Sequence, residues 1–135
     1  AKFHPGGKLG AMLKHTSDFM HTGDAVPLKP LGTKMSEALA EISAKGFGCV
    51  AITDARGHVA GIITDGDVRR HMRPDLLDAP VDDVMTRNPK TIGSNSLASE
   101  ALKLMSSKIS ALIVTDADKP VGIVHLHDLL RGGVA

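Results

Sequence analysis

Apolar positions follow two different periods, and both periods occur in the same order in each half of the chain. Each half opens with an extended piece (AVPLK, KTIG), then a segment with apolar residues three to four apart, then two short apolar runs. The first spacing predicts an amphipathic helix and the short runs predict strands. The fold class is therefore expected to be α/β, of the α+β type, with a β-α-β-β-α unit in each half.

The bounds of the longer helices can be predicted from cap residues. Met35, Leu39 and Ile42 mark the apolar face of the first helix, with Thr33 as the expected N-cap and Gly46 as its stop. In the second half the corresponding residues are Leu97, Ala101 and Leu104, behind Ser96.

Two hairpins and a final short helix complete each unit. The strands CVAIT and HVAGII are joined by a turn over 54–57, and the strands LIVT and PVGIV by a turn over 116–119. A last helix is expected to begin near Asp67 in the first unit and near Asp128 in the second.

The two halves are copies of one unit. Gly61-Ile62 with Asp67 corresponds to Gly122-Ile123 with Asp128, and the offset between copies drifts only from 65 to 61 residues along the chain. Such a drift is expected where short loops differ in length. The predicted organisation is a first repeat over 17–73, a proline-containing linker over 74–80 and a second repeat over 81–135.

Composition excludes several classes of partner. Charge is balanced, with 16 basic and 15 acidic residues, and three Phe with no Trp or Tyr offer little for base stacking, so nucleic acid is not an expected partner. The apolar runs are too short to span a membrane. The one cysteine, Cys49, cannot form an internal disulfide, which fits a cytoplasmic protein, and it lies in a buried-strand pattern that favours a structural role.

The stretch GIITDGD places a threonine, a glycine and two aspartates where a strand runs into a helix. Asp67 can accept hydrogen bonds from both hydroxyls of a ribose, and Thr64 can donate to a phosphate, which unpaired N–H groups at a helix start also favour. The same residues can instead cap the helix, and the motif alone leaves both interpretations open. Recurrence of the aspartate in both copies favours a ligand.

The second copy replaces the hydroxyl residue by His125 and adds His127 before Asp128. His125 can still donate a hydrogen bond to a phosphate, and when protonated it adds positive charge. A metal site at His125, His127 and Asp128 is the weaker alternative, because no further ligands can be identified.

These motifs resemble the CBS domain, a small regulatory unit named after cystathionine β-synthase that normally occurs as a tandem pair. The resemblance covers residues 17–135. It implies two repeats related by a pseudo-twofold axis. The stretches FHPGGKLG, SDFMHTGDAVP, GIITDGDVRR, DDVMTRNPKTI and HLHDLLRGGV further resemble the carboxyl-terminal part of the arabinose 5-phosphate isomerases, in which a sugar-isomerase domain precedes the CBS pair. Residues 1–16, with His4, are then expected to be the linker from that missing domain.

The resemblance also implies a nucleotide-type ligand in the cleft between the repeats, with no cofactor and no catalytic or metal-binding residue. The candidate ligand-binding residues are Val26, Pro27, Gly46, Phe47, Gly48, Cys49, Thr64, Asp65, Asp67, Arg69, Lys90, Thr91, Ser110, Ala111, His125, His127 and Asp128.

Three functions remain open at this point. The favoured one is a regulatory module that binds an effector, either CMP-Kdo, the activated end product of the pathway that these isomerases begin, or an adenine nucleotide. The second is a ligand-free oligomerisation module, and the third, an enzyme, lacks an identifiable nucleophile and base. A homodimer through the CBS pair, and a tetramer of the intact enzyme, are also expected. The candidate residues for the surface through which CBS pairs associate are Met12, Leu13, Phe19, Met72, Leu129 and Leu130.

Overall fold

The predicted order β-α-β-β-α is present in both halves of the chain, and the second half has one additional short strand. The computed structural model describes residues 10–11 and 13–134. The α-helices with defined bounds are α1 (Met35–Lys45), α2 (Asp65–Arg70), α3 (Ala98–Leu104) and α4 (Leu126–Arg131), and short 3-10 helices occupy Thr16–Asp18, Gly23–Ala25, Leu76–Asp78 and Val81–Asp83. The strands are β1 (Leu28–Pro30), β2 (Cys49–Thr53), β3 (Val59–Thr64), β4 (Thr86–Arg87), β5 (Thr91–Gly93), β6 (Ala111–Asp116) and β7 (Lys119–His125). The mixed α+β class is therefore confirmed.

The strands form two small sheets. One has the order β1-β2-β3-β4 and the other the order β5-β6-β7. In the first sheet β1 runs parallel to β2, which requires the crossover that α1 supplies, while β3 is antiparallel to both β2 and β4. This register places Cys49, the first residue of β2, directly opposite Thr64, the last residue of β3.

The predicted stop of the first helix is confirmed, but both predicted N-caps are wrong. Gly46 ends α1 in the left-handed conformation, with φ 80°. The N-cap of α1 is Lys34 and that of α3 is Leu97, and neither caps with its side chain. The hydroxyl of Thr33 donates instead to the carbonyl of Pro30 at 2.7 Å.

The first N–H groups of these helices are bound by backbone carbonyls of distant segments. The amide of Met35 donates to the carbonyl of Ala79 at 2.8 Å, and the amide of Ala98 donates to the carbonyl of Lys14 at 2.7 Å. A distant carbonyl thus satisfies a donor that a cap side chain would otherwise satisfy. Ser96 also contacts the segment before the first repeat, since its carbonyl accepts from the amide of Thr16 at 2.7 Å.

The chain forms two compact units, and neither coincides with one sequence repeat. One unit consists of residues 24–89 and 118–120, and the other of residues 90–117 and 121–134 together with the described residues before Asp24. The segments that precede and open each repeat therefore pack with helices and strands of the other repeat. We call residues 13–23 and 79–87 the exchanged segments.

Each unit has its own apolar core. The first contains Met35, Ala38, Ile42, Val50, Ile52, Ile63, Leu76, Ala79, Val81, Val84 and Met85. The second contains Ala11, Ile92, Ala98, Ala101, Leu112, Val114, Val124, Leu129 and Val134. Leu129 is thus fully buried, and its expected role in an oligomer surface is wrong. Leu13, Met72 and Leu130 are exposed, Phe19 packs partly buried against the second core, and Met12 lies outside the described residues.

A glycine lies under each exchanged segment where the segment crosses the sheet. A Cβ atom on Gly61 would lie 2.7 Å from the Met85 sulfur and 2.9 Å from the Thr86 carbonyl oxygen. At Gly122 the corresponding distances are 2.6 Å to the Met20 sulfur and 2.9 Å to the His21 oxygen. The recurrence of glycine at this point of both repeats is therefore explained by close backbone approach.

Alanine at either glycine should destabilise the fold. We expect Gly61→Ala and Gly122→Ala each to lower the free energy of unfolding by roughly 1–3 kcal/mol, because the backbone of the exchanged segment must move. Gly66→Ala is the control, since a Cβ there meets only the guanidinium end of Arg70, at 3.0 Å, and should be neutral or slightly stabilising. Urea denaturation measures all three, and equal unfolding free energies would contradict the close-approach explanation.

Candidate functional site

Asp67 carries a buried carboxylate at the third position of α2, and four hydrogen bonds converge on it. Its side chain is 3% exposed. One oxygen, Oδ2, accepts from the Thr64 amide at 2.9 Å and from the Thr64 hydroxyl at 3.0 Å. The other, Oδ1, accepts from Arg70 Nη2 at 2.7 Å and from the Thr86 hydroxyl at 2.6 Å. We call Thr64, Asp67, Arg70 and Thr86 the first junction.

These bonds keep the Asp67 carboxylate ionised. Burial by itself would raise the pKa of Asp67, but the hydrogen bonds from Thr86, Thr64 and Arg70 together hold it below the ordinary value. The reciprocal bonds between Thr64 and Asp67 form a capping box at the start of α2. The capping interpretation of the motif therefore accounts for the bonds to Oδ2, whereas Oδ1 is bound by Arg70 and Thr86.

The second copy builds the same arrangement around Asp128. Oδ2 accepts from the His125 amide at 3.0 Å and lies 3.0 Å from His21 Nε2. Oδ1 accepts from Arg131 Nη2 at 3.0 Å. We call His21, His125, Asp128 and Arg131 the second junction.

The Asp128 carboxyl is also held in its charged form. Burial opposes this, but the bonds from the His125 amide, His21 and Arg131 lower the pKa of Asp128 below its ordinary value. The ring of His125 caps α4, because its Nδ1 accepts from the His127 amide at 3.0 Å.

The two junctions correspond residue by residue, but their chemistry differs. Thr64 corresponds to His125 and Thr86 corresponds to His21. The His21 imidazole takes the place of the Thr86 hydroxyl at the carboxylate, whereas His125 donates to Asp128 through its backbone amide and caps α4 with its ring. The roles of Thr86 and His21 were missed from the sequence. Each copy contains the pattern Asp-x-Met, at 18–20 and 83–85, and His21 and Thr86 directly follow its methionine. Aligning the two copies could therefore have drawn attention to this position.

The candidate ligand residues fall into two groups, one in each compact unit. The group that shares a unit with the first junction comprises Val26, Pro27, Gly46, Phe47, Gly48, Cys49, Thr64, Asp65, Asp67 and Arg69. The other group comprises Lys90, Thr91, Ser110, Ala111, His125, His127 and Asp128. In the first group the buried residues Val26 and Pro27 lie beside β2, since the Pro27 carbonyl accepts from the Ala51 amide at 3.0 Å.

Cys49 lies opposite Thr64 in the sheet, and its thiol is unreactive. Burial, and then the negative charge of Asp65, raise the pKa of the Cys49 thiol to about 12. The thiol is therefore neutral at physiological pH and is not a nucleophile.

The two arginines that end α2 differ in availability. Arg70 is committed to Asp67, whereas Arg69 is exposed on the same helix. Lys90 is also exposed, and it belongs to the other unit. Among the described residues, no group of three or more His, Cys, Asp or Glu side chains is arranged to hold a metal ion. None of the described helices is long and apolar enough to cross a membrane.

Replacing the Asp67 carboxylate by an amide should cost stability at neutral pH. Asp67→Asn places an amino group against donors, so we expect a loss of roughly 1–3 kcal/mol in the free energy of unfolding. Because the folded pKa of Asp67 lies below its ordinary value of 3.8, its contribution is complete above that value and is lost as the pH falls through the folded value. The mutant should therefore lose less stability than the wild type under acid.

Urea denaturation between pH 7 and pH 3 measures both effects. Asp75→Asn is the control, since the Asp75 side chain is 74% exposed and pairs only with Arg73 among the ion pairs of the described residues. It should change stability by no more than about 0.5 kcal/mol. If Asp67→Asn matched the wild type at every pH, the role given to this carboxylate would be wrong.

Comparison with known proteins identifies the repeats. The sequence model of the CBS domain matches residues 17–74 and 81–134. Arabinose 5-phosphate isomerase KdsD of Pseudomonas aeruginosa is 47% identical over 136 residues, which cover 97% of this chain and 42% of that protein. The chain thus spans less than half the length of the curated relatives that it matches.

Solved structures agree on the fold. A CBS-domain-containing protein of Agrobacterium tumefaciens superposes with a TM-score of 0.77 at 21% identity, over 99% of this chain and 100% of that one. CBSX2 of Arabidopsis thaliana, solved in complex with AMP, gives a TM-score of 0.72 at 21% identity, over 87% of this chain and 93% of that one. With a match in each half of the sequence, the chain belongs to the CBS-domain family.

Proposed function

We propose that the chain is the regulatory CBS pair of an arabinose 5-phosphate isomerase and that it binds a nucleotide-type effector at the first junction. The observation that carries this proposal is the ionised, buried carboxylate of Asp67 in the same unit as the apolar residues at the start of β2. An ionised carboxylate accepts from both hydroxyls of a ribose, and apolar residues suit a base.

The two oxygens of Asp67 would serve different purposes. Oδ2 is used by the capping box with Thr64, which fixes the start of α2. Oδ1 is bound by Arg70, whose side chain is 64% exposed, and by the exposed residue Thr86. A ribose hydroxyl can replace the exposed Arg70 on Oδ1 without opening the cap at Thr64 or releasing Thr86.

A base would contact Val26, Pro27 and the turn from Gly46 to Cys49. Gly46 and Gly48 flank Phe47 with φ values of 80° and 76°, a conformation that side chains disfavour. Because Cys49 lies opposite Thr64 in the sheet, this turn leads directly to the strand pair that ends at the first junction.

CMP-Kdo is the favoured effector. It offers a ribose diol for Asp67, a phosphate, and a sugar carboxylate that the exposed guanidinium of Arg69 can bind. The related isomerases act at the start of the route to Kdo, so inhibition by the activated end product is a sensible form of regulation. For an effector held at Asp128 instead, Lys90 of the same unit is the partner for the sugar carboxylate.

An adenine nucleotide is the second candidate. CBSX2, whose fold is shared by this chain, was solved in complex with AMP. AMP offers the ribose diol and the phosphate but no sugar carboxylate. The third candidate, an oligomerisation module without a ligand, is favoured by the exposed apolar side chains of Leu13, Met72 and Leu130, through which a homodimer could form.

Calorimetry should separate these candidates. We expect CMP-Kdo to bind more tightly than CMP or AMP. Asp67→Ala should weaken its binding by roughly 1.5–3 kcal/mol, the usual contribution of a hydrogen bond to a charged group. A loss of this size in Asp128→Ala instead would place the effector at the second junction. Arg69→Gln should weaken CMP-Kdo but not CMP. Asp75→Asn is the control, and circular dichroism must show that each variant is folded.

The alternative outcomes are informative. If AMP or ATP binds tightly and CMP-Kdo does not bind, the module is an adenine-nucleotide sensor. If no nucleotide binds at millimolar concentration, the oligomerisation module replaces both effector hypotheses.

The chain alone should not interconvert ribulose 5-phosphate and arabinose 5-phosphate. The CBS pair is a regulatory module, and we place the catalytic residues in the part of the relatives that this chain does not match. A discontinuous assay of both sugar phosphates tests this, with a full-length relative as the positive control. Turnover by the purified chain would overturn the assignment.

A further inference from the structure

His125 caps α4 with a ring nitrogen that can take up a proton. Its Nδ1 accepts a hydrogen bond from the His127 amide at 3.0 Å. An imidazole nitrogen accepts only when it carries no proton, so this contact requires the neutral ring. The corresponding residue of the first junction, Thr64, has a hydroxyl that does not titrate in this range.

His21 responds to protonation in the opposite way. Its Nε2 lies 3.0 Å from Oδ2 of Asp128. Because an ionised carboxylate can only accept, Nε2 carries the proton of this bond in either charge state of the ring. Protonation of the other ring nitrogen keeps the contact and converts it into an ion pair.

The charges around His125 come from both elements that face it. From α4, the His127 ring lies at a centroid distance of 4.6 Å, tilted by 56° to the His125 ring, and the charges of Asp128 and Arg131 also act on His125. From the exchanged segment, the charge of His21 also acts on His125. Burial is the largest influence, and with the neighbouring cations it outweighs the attraction of Asp128, so the pKa of His125 lies below its ordinary value. The ring is therefore neutral, and the cap is formed, at neutral pH.

We propose that the second junction is a proton-operated element: below neutral pH, protonated His125 releases its cap on α4, while His21 keeps Asp128 bound to the exchanged segment. The first junction, built on Thr64 and Thr86, lacks this response. The element is independent of any effector and goes beyond the proposed function.

The direction of the pH dependence follows from the lowered pKa. The unfolded chain takes up this proton near the ordinary value of 6.5, before the folded chain does. The contribution of neutral His125 to stability is therefore complete above that value and is lost as the pH falls toward the lower folded value.

A nuclear magnetic resonance titration of the whole chain between pH 8 and pH 5 tests the proposal. The His125 ring should titrate with a midpoint below the ordinary histidine range, and the His127 amide should shift with the same midpoint. At pH values below this midpoint, protection of the His127 amide from hydrogen exchange, corrected for the intrinsic exchange rate, should fall by roughly fivefold to tenfold. This is the change in the equilibrium constant expected from the loss of one hydrogen bond.

Two variants serve as controls. In His125→Thr, which restores the residue type of the first junction, the His127 amide should no longer follow this midpoint. In His127→Gln, which keeps the donating amide, the response should persist. A His125 midpoint at or above the ordinary range, or a His127 amide that does not follow it, would overturn the proposal. If His125→Thr does not fold, the wild-type titration decides alone.

Discussion

An ionised carboxylate that is removed from water must be supplied with donors, and in this protein one donor of each carboxylate comes from a distant part of the chain. Asp67 takes it from Thr86, and Asp128 from His21, which is 107 residues away in sequence. Leaving such a group unpaired costs more than the bond itself returns. The position of each exchanged segment is therefore fixed by the carboxylate that it contacts.

The other contacts of the exchanged segments depend on the same placement. Gly61 and Gly122 lack the Cβ atoms that would push these segments away. The carbonyls of Ala79 and Lys14 then reach the first amides of α1 and α3. One crossing thus satisfies a carboxylate, covers a glycine and caps a helix, and the whole arrangement occurs once in each unit.

The helices, strands and repeat were predictable because they depend on local pattern, and Gly46 was predictable because its φ of 80° requires glycine. The N-caps could not be predicted. The carbonyl that binds the first amide of α1, in place of the predicted cap Thr33, belongs to Ala79, and such a distant contact leaves no local sequence pattern. At the site, Asp67 and Asp128 could be identified because they recur in both copies. The roles of Thr86 and His21 could not, because they follow from the packing of each opening segment against the other copy. Periodicity also could not show that Leu129 faces the core while Leu130 is exposed.

The exchanged segments also bear on how such a repeat protein can arise. A single repeat contains its own aspartate and glycine, but the exchanged segment that precedes and opens it contacts the aspartate and glycine of the other copy. One repeat alone could complete its fold only by trading that segment with a second molecule. Joining two copies in one chain turns this trade into an intramolecular event at a high effective concentration. Duplication would thus have converted an obligate association into a self-sufficient pair, after which Thr64 and His125 were free to diverge.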